Sequence, residues 1–325
     1  MSRSFIVIPI LALLASSVTL GAILCVPCAA DAPPVRVLCL RGPTGMGLVK
    51  LMEDAGRNGM EGRYTFQVVP SPDNLAAAFA RGDADIFAMP ANMAAILWNR
   101  TGGGLQVLSV NTLGVLALVE RGNAIHSLRD LGGRIIAASG RGAAPEHALN
   151  YLLKKEGVTC RVDWKSEHAE VIAALAAGKA DVGLLPHPFI ETAMDKVDGL
   201  REALSLTEEW RRLGDGSELV MGVNAARRGW IESHPAEAAA FLRGARASVE
   251  FVNAHPGEAA ALMVKHRILD DAGVAERAIP NCNLVALTGA AMERALSGYL
   301  GALADAGAKT VGGRLPDRSF YHHDE

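Results

Sequence analysis

The chain has 325 residues, half of them apolar, 21% charged and only 5% aromatic, so it can bury a sizeable core and fill two domains. With 32 Lys and Arg against 35 Asp and Glu, the formal net charge is −3, which carries no nucleic-acid footprint. Disorder, collagen-like repeats and a disulfide-dense miniprotein are excluded by the same figures. Residues 1–30 open on Arg3, run apolar from Phe5 to about Leu24, and end on Cys28, Ala29 and Ala30, the layout of a secretory signal peptide cleaved after Ala30. A retained membrane anchor is the alternative, because the apolar run nearly suffices to span a bilayer. Lipidation of Cys25 or Cys28 is disfavoured by the Leu24 and Pro27 that precede them. No later segment is apolar for long enough to span, so a soluble or tethered protein outside the cytoplasm is expected. Cleavage would leave Cys39, Cys160 and Cys282, an odd number without a CxxC, whose pairing is open and which read as small core residues.

Next come two halves with the same grammar. The segment from Asn74 to Pro90 (NLAAAFARGDADIFAMP) overlays Glu170 to Pro186 (EVIAALAAGKADVGLLP) at a constant shift, matching Ala77, Ala78, Ala80, Gly82, Ala84, Asp85 and Pro90. Each copy predicts a helix, a glycine stop, an acidic turn and a short apolar strand that a proline ends. Upstream, the strand Val35 to Leu40 enters the glycine loop Gly42 to Gly47 and a helix; its counterpart is Arg134 to Ala138, the loop Ser139 to Ala144, and a helix over Pro145 to Lys155. Repeated strand and helix alternation of this kind predicts α/β sheets covered by helices, with ligands at the carboxyl ends of the strands. The extended stretches Leu105 to Glu120 and Ser217 to Asn224 are candidate crossing strands of a two-strand hinge. That divides the chain into lobe one, 31–115 with 225–325, and lobe two, 116–224. Helices are expected over Pro235 to Asn253, Pro256 to Lys265 and Thr288 to Ala304.

Motifs for chemistry are few. The loop GPTGMG is not a P-loop, since Leu48 and Val49 follow it, and neither glycine loop completes a dinucleotide fingerprint, so no cofactor is implied. Glycines let backbone amides approach a ligand, and a helix N-terminus favours a negative group, so both loops are candidate contacts. Arg141, inside the second loop, can pair with a carboxylate, sulfonate or phosphate through a bidentate fork. His187, between Pro186 and Pro188, stands one helical turn before Glu191, half of a metal site that lacks its other ligands. Asp83 and Asp85 read as solvated turn residues, and Asn99–Arg100–Thr101 as a chance sequon. The terminal His322, His323, Asp324 and Glu325 read as a frayed end. Among the aromatics Phe87, Trp98, Tyr151, Trp164, Phe189, Trp210 and Trp230, Phe87 and Phe189 stand where they could flank a flat ligand.

The segments LRGPTGMGLVKLM, ASGRGAAPEHALNYLL, GLLPHPFIETAM, IPNCNLV and GGRLPDRSFYHHDE together resemble periplasmic solute-binding proteins of ABC importers, in the nitrate, sulfonate, taurine and thiamine-pyrimidine-precursor group. The resemblance spans the chain beyond residue 30 and implies a two-lobed α/β fold of the type II periplasmic-binding-protein kind. It implies a small, anionic solute delivered to a permease and its ATPase, a monomer, and no catalysis. On that pattern the contacts fall on Gly42, Pro43, Thr44, Gly45, Met46 and Gly47; on Pro90, Ala91 and Asn92; on Thr112 and Leu113; on Ser139, Gly140, Arg141, Gly142 and Ala143; and on Pro186 and His187. The chain departs from it at His187, where such proteins carry Glu, and near Ala144, where they carry Thr or Ser. The same fold also carries thiamine-pyrimidine synthases and a dehydratase of menaquinone synthesis, which make an enzyme the alternative, and an extracytoplasmic sensor is a third reading.

Overall fold

The structure is a computed structural model that describes residues 33–57, 63–213 and 216–323. The expected export segment, with Cys25 and Cys28, lies outside these residues, as do Asp324 and Glu325.

The first part of the chain runs β1 (Val35–Leu40), α1 (Pro43–Met46), α2 (Val49–Ala55), β2 (Tyr64–Val69), α3 (Pro72–Arg81), β3 (Ile86–Pro90), α4 (Ala91–Arg100) and β4 (Leu105–Leu113). The second runs β5 (Leu116–Arg121), β6 (Ile135–Ser139), α5 (Ala144–Glu156), β7 (Arg161–Lys165), α6 (His168–Ala176), β8 (Val182–Pro186), α7 (Phe189–Lys196), β9 (Leu200–Ser205) and α8 (Leu206–Leu213). The remainder is β10 (Val220–Arg227), α9 (Arg228–Ser233), α10 (Pro235–Ala254), α11 (Pro256–Lys265), α12 (Ala272–Ala278), β11 (Leu284–Leu287) and α13 (Gly289–Ala306).

These strands form two sheets, β11-β4-β10-β3-β1-β2 and β7-β6-β8-β5-β9. In each, three parallel strands (β2-β1-β3 and β7-β6-β8) are joined by helical crossovers and followed by an antiparallel neighbour, β10 or β5. Helices cover both faces, which is why IFAMP and VGLLP are apolar throughout instead of alternating. The repeat is visible in three dimensions: β3 and β8 occupy matched positions and each ends on its proline.

Local signals explain the element ends. Ser71 caps α3 by accepting from the Asn74 amide, Pro72 opens it, and Gly82, at φ +82°, closes it. In the acidic turn that follows, Asp83 is exposed as expected, but Asp85 is not solvated. Asp85 is buried and accepts from the Arg36 amide (2.9 Å) and from Arg36 Nε and Nη2 (3.1 and 2.7 Å), tying the start of β3 to β1.

The long stretch from Leu105 does not run through as one strand. It breaks at Gly114 and Val115, so β4 joins the first sheet and β5 the second. β10 re-enters the first sheet at Val220, ahead of the boundary expected at 225. Helices α10, α11 and α13 lie where their prolines and Thr288 predict, and α10 docks on α2 through Ser248, whose Oγ accepts from the Lys50 and Leu51 amides at 3.1 and 3.2 Å. α13 also reaches the second half. Tyr151 of α5 stacks on Trp210 of α8 at 4.3 Å, and Trp210 packs on Tyr299 of α13 at 5.8 Å. The C-terminal tail is docked as far as His323: the His322 amide donates to Val107 O at 2.9 Å, and His323 Nε2 lies 3.3 Å from Glu293. His322 and His323 are therefore not the frayed end expected of them. Asn99 is likewise structural, donating to the carbonyls of Val311 and Arg314 at 2.8 Å.

Candidate functional site

At the carboxyl end of β1 the glycine segment is not an open loop. Gly42, at φ +92°, turns the chain into the short helix α1, Pro43 fits its first turn, and the amides of Gly45 and Met46 donate to Gly42 O at 2.9 and 3.2 Å. Those two amides are spent inside the protein. Met46 is fully buried, and a Cβ on Gly45 would stand 2.7 Å from Leu40 O, so both residues serve the packing of this turn. Around Pro43 and Thr44 lies a neutral network that the sequence did not reveal. Asn111 Nδ2 donates to Thr44 O (3.3 Å) and Asn224 Oδ1 (2.9 Å), Thr112 Oγ1 donates to Asn111 Oδ1 (2.9 Å), and Asn224 Nδ2 donates to Ser109 Oγ (3.0 Å). All of these side chains are buried. Thr112 therefore serves this network. Ala91 and Leu113 are also buried, whereas Pro90 and Asn92 keep partial exposure at the β3–α4 junction.

At the carboxyl end of β6, Gly140 (φ +84°) and Gly142 (φ +76°) carry the turn. The Gly142 amide donates to the Glu146 carboxylate at 2.6 Å and the Ala143 amide to Gly140 O at 3.1 Å, so this turn too holds itself. Arg141 is exposed and has no partner among the described residues, which leaves its fork free. Ser139 is buried, with its Oγ 2.5 Å from His168 Nδ1, and the Phe189 ring covers that imidazole at 4.4 Å. Burial holds the His168 pKa below its usual value. Phe87, by contrast, lies wholly in the core against Phe79 and the Arg227 guanidinium.

His187 follows Pro186 at the end of β8, and its amide donates to Val115 O at 2.9 Å, where the chain crosses between sheets. Its Nδ1 lies 2.7 Å from Glu191 Oε1 and its Nε2 3.4 Å from Glu202 Oε2. His187 and Glu191 are buried, Glu202 is a third exposed, and Glu191 Oε2 has no hydrogen-bond partner among the described residues. Burial, the largest influence, pulls the imidazole pKa down, but hydrogen bonding and charge from the two glutamates outweigh it and bring it to about 9. At neutral pH the ring is thus an imidazolium between two carboxylates.

This imidazolium lines a cavity of about 160 Å³ together with Glu202, Ser205, Thr207, Glu208 and Arg211. The crossing residues Gly114, Val115 and Leu116 and the stretch Pro280, Asn281 and Asn283 complete the wall. Of the residues expected to contact ligand, only His187 lines this cavity; neither glycine segment reaches it. Glu202, Ser205 and Thr207 carry no motif, because β9 brings the first two, and the start of α8 the third, to this cavity from the far side of β5. The spacing of His187 and Glu191 was legible, but it makes a hydrogen bond between them, and among the described residues no group of three or more His, Cys, Asp or Glu is arranged to hold a metal ion.

Over residues 22–293 the sequence matches the family described as menaquinone biosynthesis. The chain belongs to this menaquinone biosynthesis family. That membership overturns the expectation of a chain without catalysis and points to an enzyme. The expectation rested on the export-like N-terminus, the duplicated halves, the resemblance to importer components and the absence of contiguous catalytic motifs, whereas the titratable cluster is assembled from β9, α7 and the end of β8. No curated protein matches the sequence. Among solved structures, this member of the menaquinone biosynthesis family resembles an ABC transporter protein from Parabacteroides distasonis at 23% identity, with a TM-score of 0.78 over 90% of this chain and 100% of that one. It also resembles the periplasmic aliphatic sulphonate binding protein SsuA from Escherichia coli (17% identity, TM-score 0.73, 90% and 98% covered). A third likeness is the periplasmic nitrate-binding protein NrtA from Synechocystis PCC 6803 (12%, 0.52, 73% and 67%). These likenesses show the fold, the two-lobed α/β architecture of periplasmic binding proteins.

Proposed function

We propose that the chain is an enzyme that holds a small carboxylated hydroxy compound between its two halves and eliminates water from it, in the manner of a menaquinone-pathway dehydratase. The observation that carries this reading is the His187 imidazolium between Glu191 and Glu202 on the wall of the cavity where the halves meet. Elimination needs a base for a carbon-bound proton and an acid for the departing hydroxyl, and the cluster has both. Glu202, the more exposed carboxylate, takes the proton; the C–H electrons form the new double bond; the C–O bond breaks and its oxygen takes the Nε2 proton of His187. Transfer from Glu202 back to His187 then restores the starting state, and water is the only group lost. Glu191, buried on Nδ1, keeps the ring oriented. The free fork of Arg141 and the partly exposed Pro90 and Asn92, at strand ends outside the wall of this cavity, are the proposed contacts for the part of the substrate that extends beyond it.

A second role, favoured by the export-like N-terminus and the likeness to importer components, is delivery of a solute to a membrane permease outside the cytoplasm. One assay separates chemistry from carriage. The purified protein is incubated with a mixture of small hydroxy acids and the mixture is read by mass spectrometry. A product lighter by one water, formed by the wild type and lost in His187→Asn and Glu202→Gln, is expected. Compounds returned unchanged throughout would refute the elimination.

A further inference from the structure

We propose that His168 is a positioning residue for Ser139: it takes the Ser139 hydroxyl proton, so that Oγ meets a ligand only as a hydrogen-bond acceptor, and the ligand group placed there is a donor such as a hydroxyl or an N–H. The inference rests on the proposed placement of ligand at the carboxyl ends of the second sheet.

Three observations carry it. The Oγ to Nδ1 distance is 2.5 Å, and no other hydrogen bond is made by the Ser139 hydroxyl among the described residues. Phe189 lies against the imidazole at 4.4 Å and shields it from water, which disfavours the charged ring. A neutral imidazole with an acceptor Nδ1 carries its proton on Nε2, and the serine hydroxyl has one proton to give. Once that proton points at His168, the remaining lone pairs of Oγ can only accept. The place matters because β6 and β8 are parallel neighbours in register, Ala138 opposite Leu184, so Ser139 ends the strand beside the one that ends at Pro186 and His187. A carboxylate or sulfonate oxygen opposite such an oxygen is repelled, whereas a hydroxyl or amine is drawn in. Ser139 therefore sorts ligands by what they donate, while Arg141, two residues on, can still take an anion. A serine without the histidine would rotate its hydroxyl to suit either.

The test uses imidazole nitrogen-labelled full chain and two small probes, glycerol, rich in hydroxyl donors, and methanesulfonate, which only accepts. In the wild type, nitrogen NMR should show His168 with its proton on Nε2 and a hydrogen-bonded Nδ1, and Ser139→Ala should move the Nδ1 signal while leaving His187 in place. Glycerol should perturb the Ser139 and Arg141 amides more readily than methanesulfonate, and His168→Ala should shift the ratio of their apparent affinities toward methanesulfonate by about fivefold, the worth of one hydrogen bond. Ser139→Thr, which keeps the hydroxyl, should retain the wild-type preference. A proton on Nδ1 of His168, or an unchanged probe ratio in His168→Ala, would overturn the inference. Neither readout needs turnover, so failure of the elimination assay and failure of this pair are separate results.

Discussion

Raising the pH above neutrality should remove stability from this protein through one buried imidazole. His187 titrates near 6.5 when unfolded and at about 9 when folded, because its two glutamate partners outweigh its burial. Its folded pKa is the higher one, so its contribution is complete below about pH 6.5 and disappears as pH climbs through about 9. The difference corresponds to roughly 3 kcal/mol, each pKa unit being worth about 1.4 kcal/mol. Side-chain exposure of 5% for His187 and 7% for Glu191 leaves little solvent screening on that pair; Glu202, at 33%, supplies a more screened share. The comparison protein is the double variant His187→Asn with Glu191→Gln, which keeps two hydrogen-bonding groups and no buried charge. Urea unfolding of both proteins between about pH 6 and 10 should show the wild type losing roughly 3 kcal/mol relative to the double variant, with the denaturant slope unchanged. A stability difference that stays constant across that range would refute the imidazolium. The single variant His187→Asn leaves the Glu191 carboxylate buried and unpaired and should cost about 3–5 kcal/mol at neutral pH, more than the double variant.

Three further outcomes follow from local geometry. Gly114→Ala would put a Cβ 2.1 Å from Thr207 Oγ1 and 2.9 Å from Leu219 Cδ2 at the crossing between sheets, and should destabilise by about 1–3 kcal/mol in thermal unfolding; a loss under about 0.5 kcal/mol would show that the crossing yields freely. Arg277→Ala removes an ion pair with Asp195 in which both side chains are about half exposed, and should change stability by less than about 1 kcal/mol in the same assay. Burial pushes the Cys39 thiol up to about 12 and Cys282 higher still, with the charge of Glu191 adding to the latter, so iodoacetamide at neutral pH should modify the half-buried Cys160 first and reach the other two only on unfolding, as read by intact mass.

The parts of the fold that were legible in the sequence are those written in short-range code. Ser71 with Pro72 and Gly82, Pro256, and the prolines ending β3 and β8 mark element ends through φ restriction and capping, and they fall where read. Asp85 misled because a turn acid looks the same whether water or Arg36 satisfies it; its partner lies on β1, far away in sequence. The glycine segment from Gly42 is ambiguous for a similar reason. Its glycines are needed for the turn itself and for the close approach of Gly45 to Leu40, and packing demands the same residue as ligand access would. Phe189 and Phe87 could be separated only by the structure, which exposes the first beside His168 and seals the second against Phe79. The acid–base cluster had one legible edge, the helical spacing of His187 and Glu191. Its third member, Glu202, reaches it through sheet order, with β9 beside β5 and β5 beside β8, which no local spacing encodes.

The two halves share a grammar yet differ in what they place at their strand ends. In the first, Ser109, Asn111, Thr112, Asn224 and Thr44 satisfy one another without a charge, and Gly222 admits no Cβ, since one would stand 2.4 Å from Asn111 Oδ1. A closed neutral network of this kind fixes position and has no proton to trade at physiological pH. In the second half the equivalent region holds His187, Glu191, Glu202, and the pair Ser139 and His168, all able to give or take a proton. Duplication alone would supply two like surfaces. The first half thus ends its strands on a closed, neutral network and the second on titratable groups, so any proton transfer at these strand ends falls to the second half.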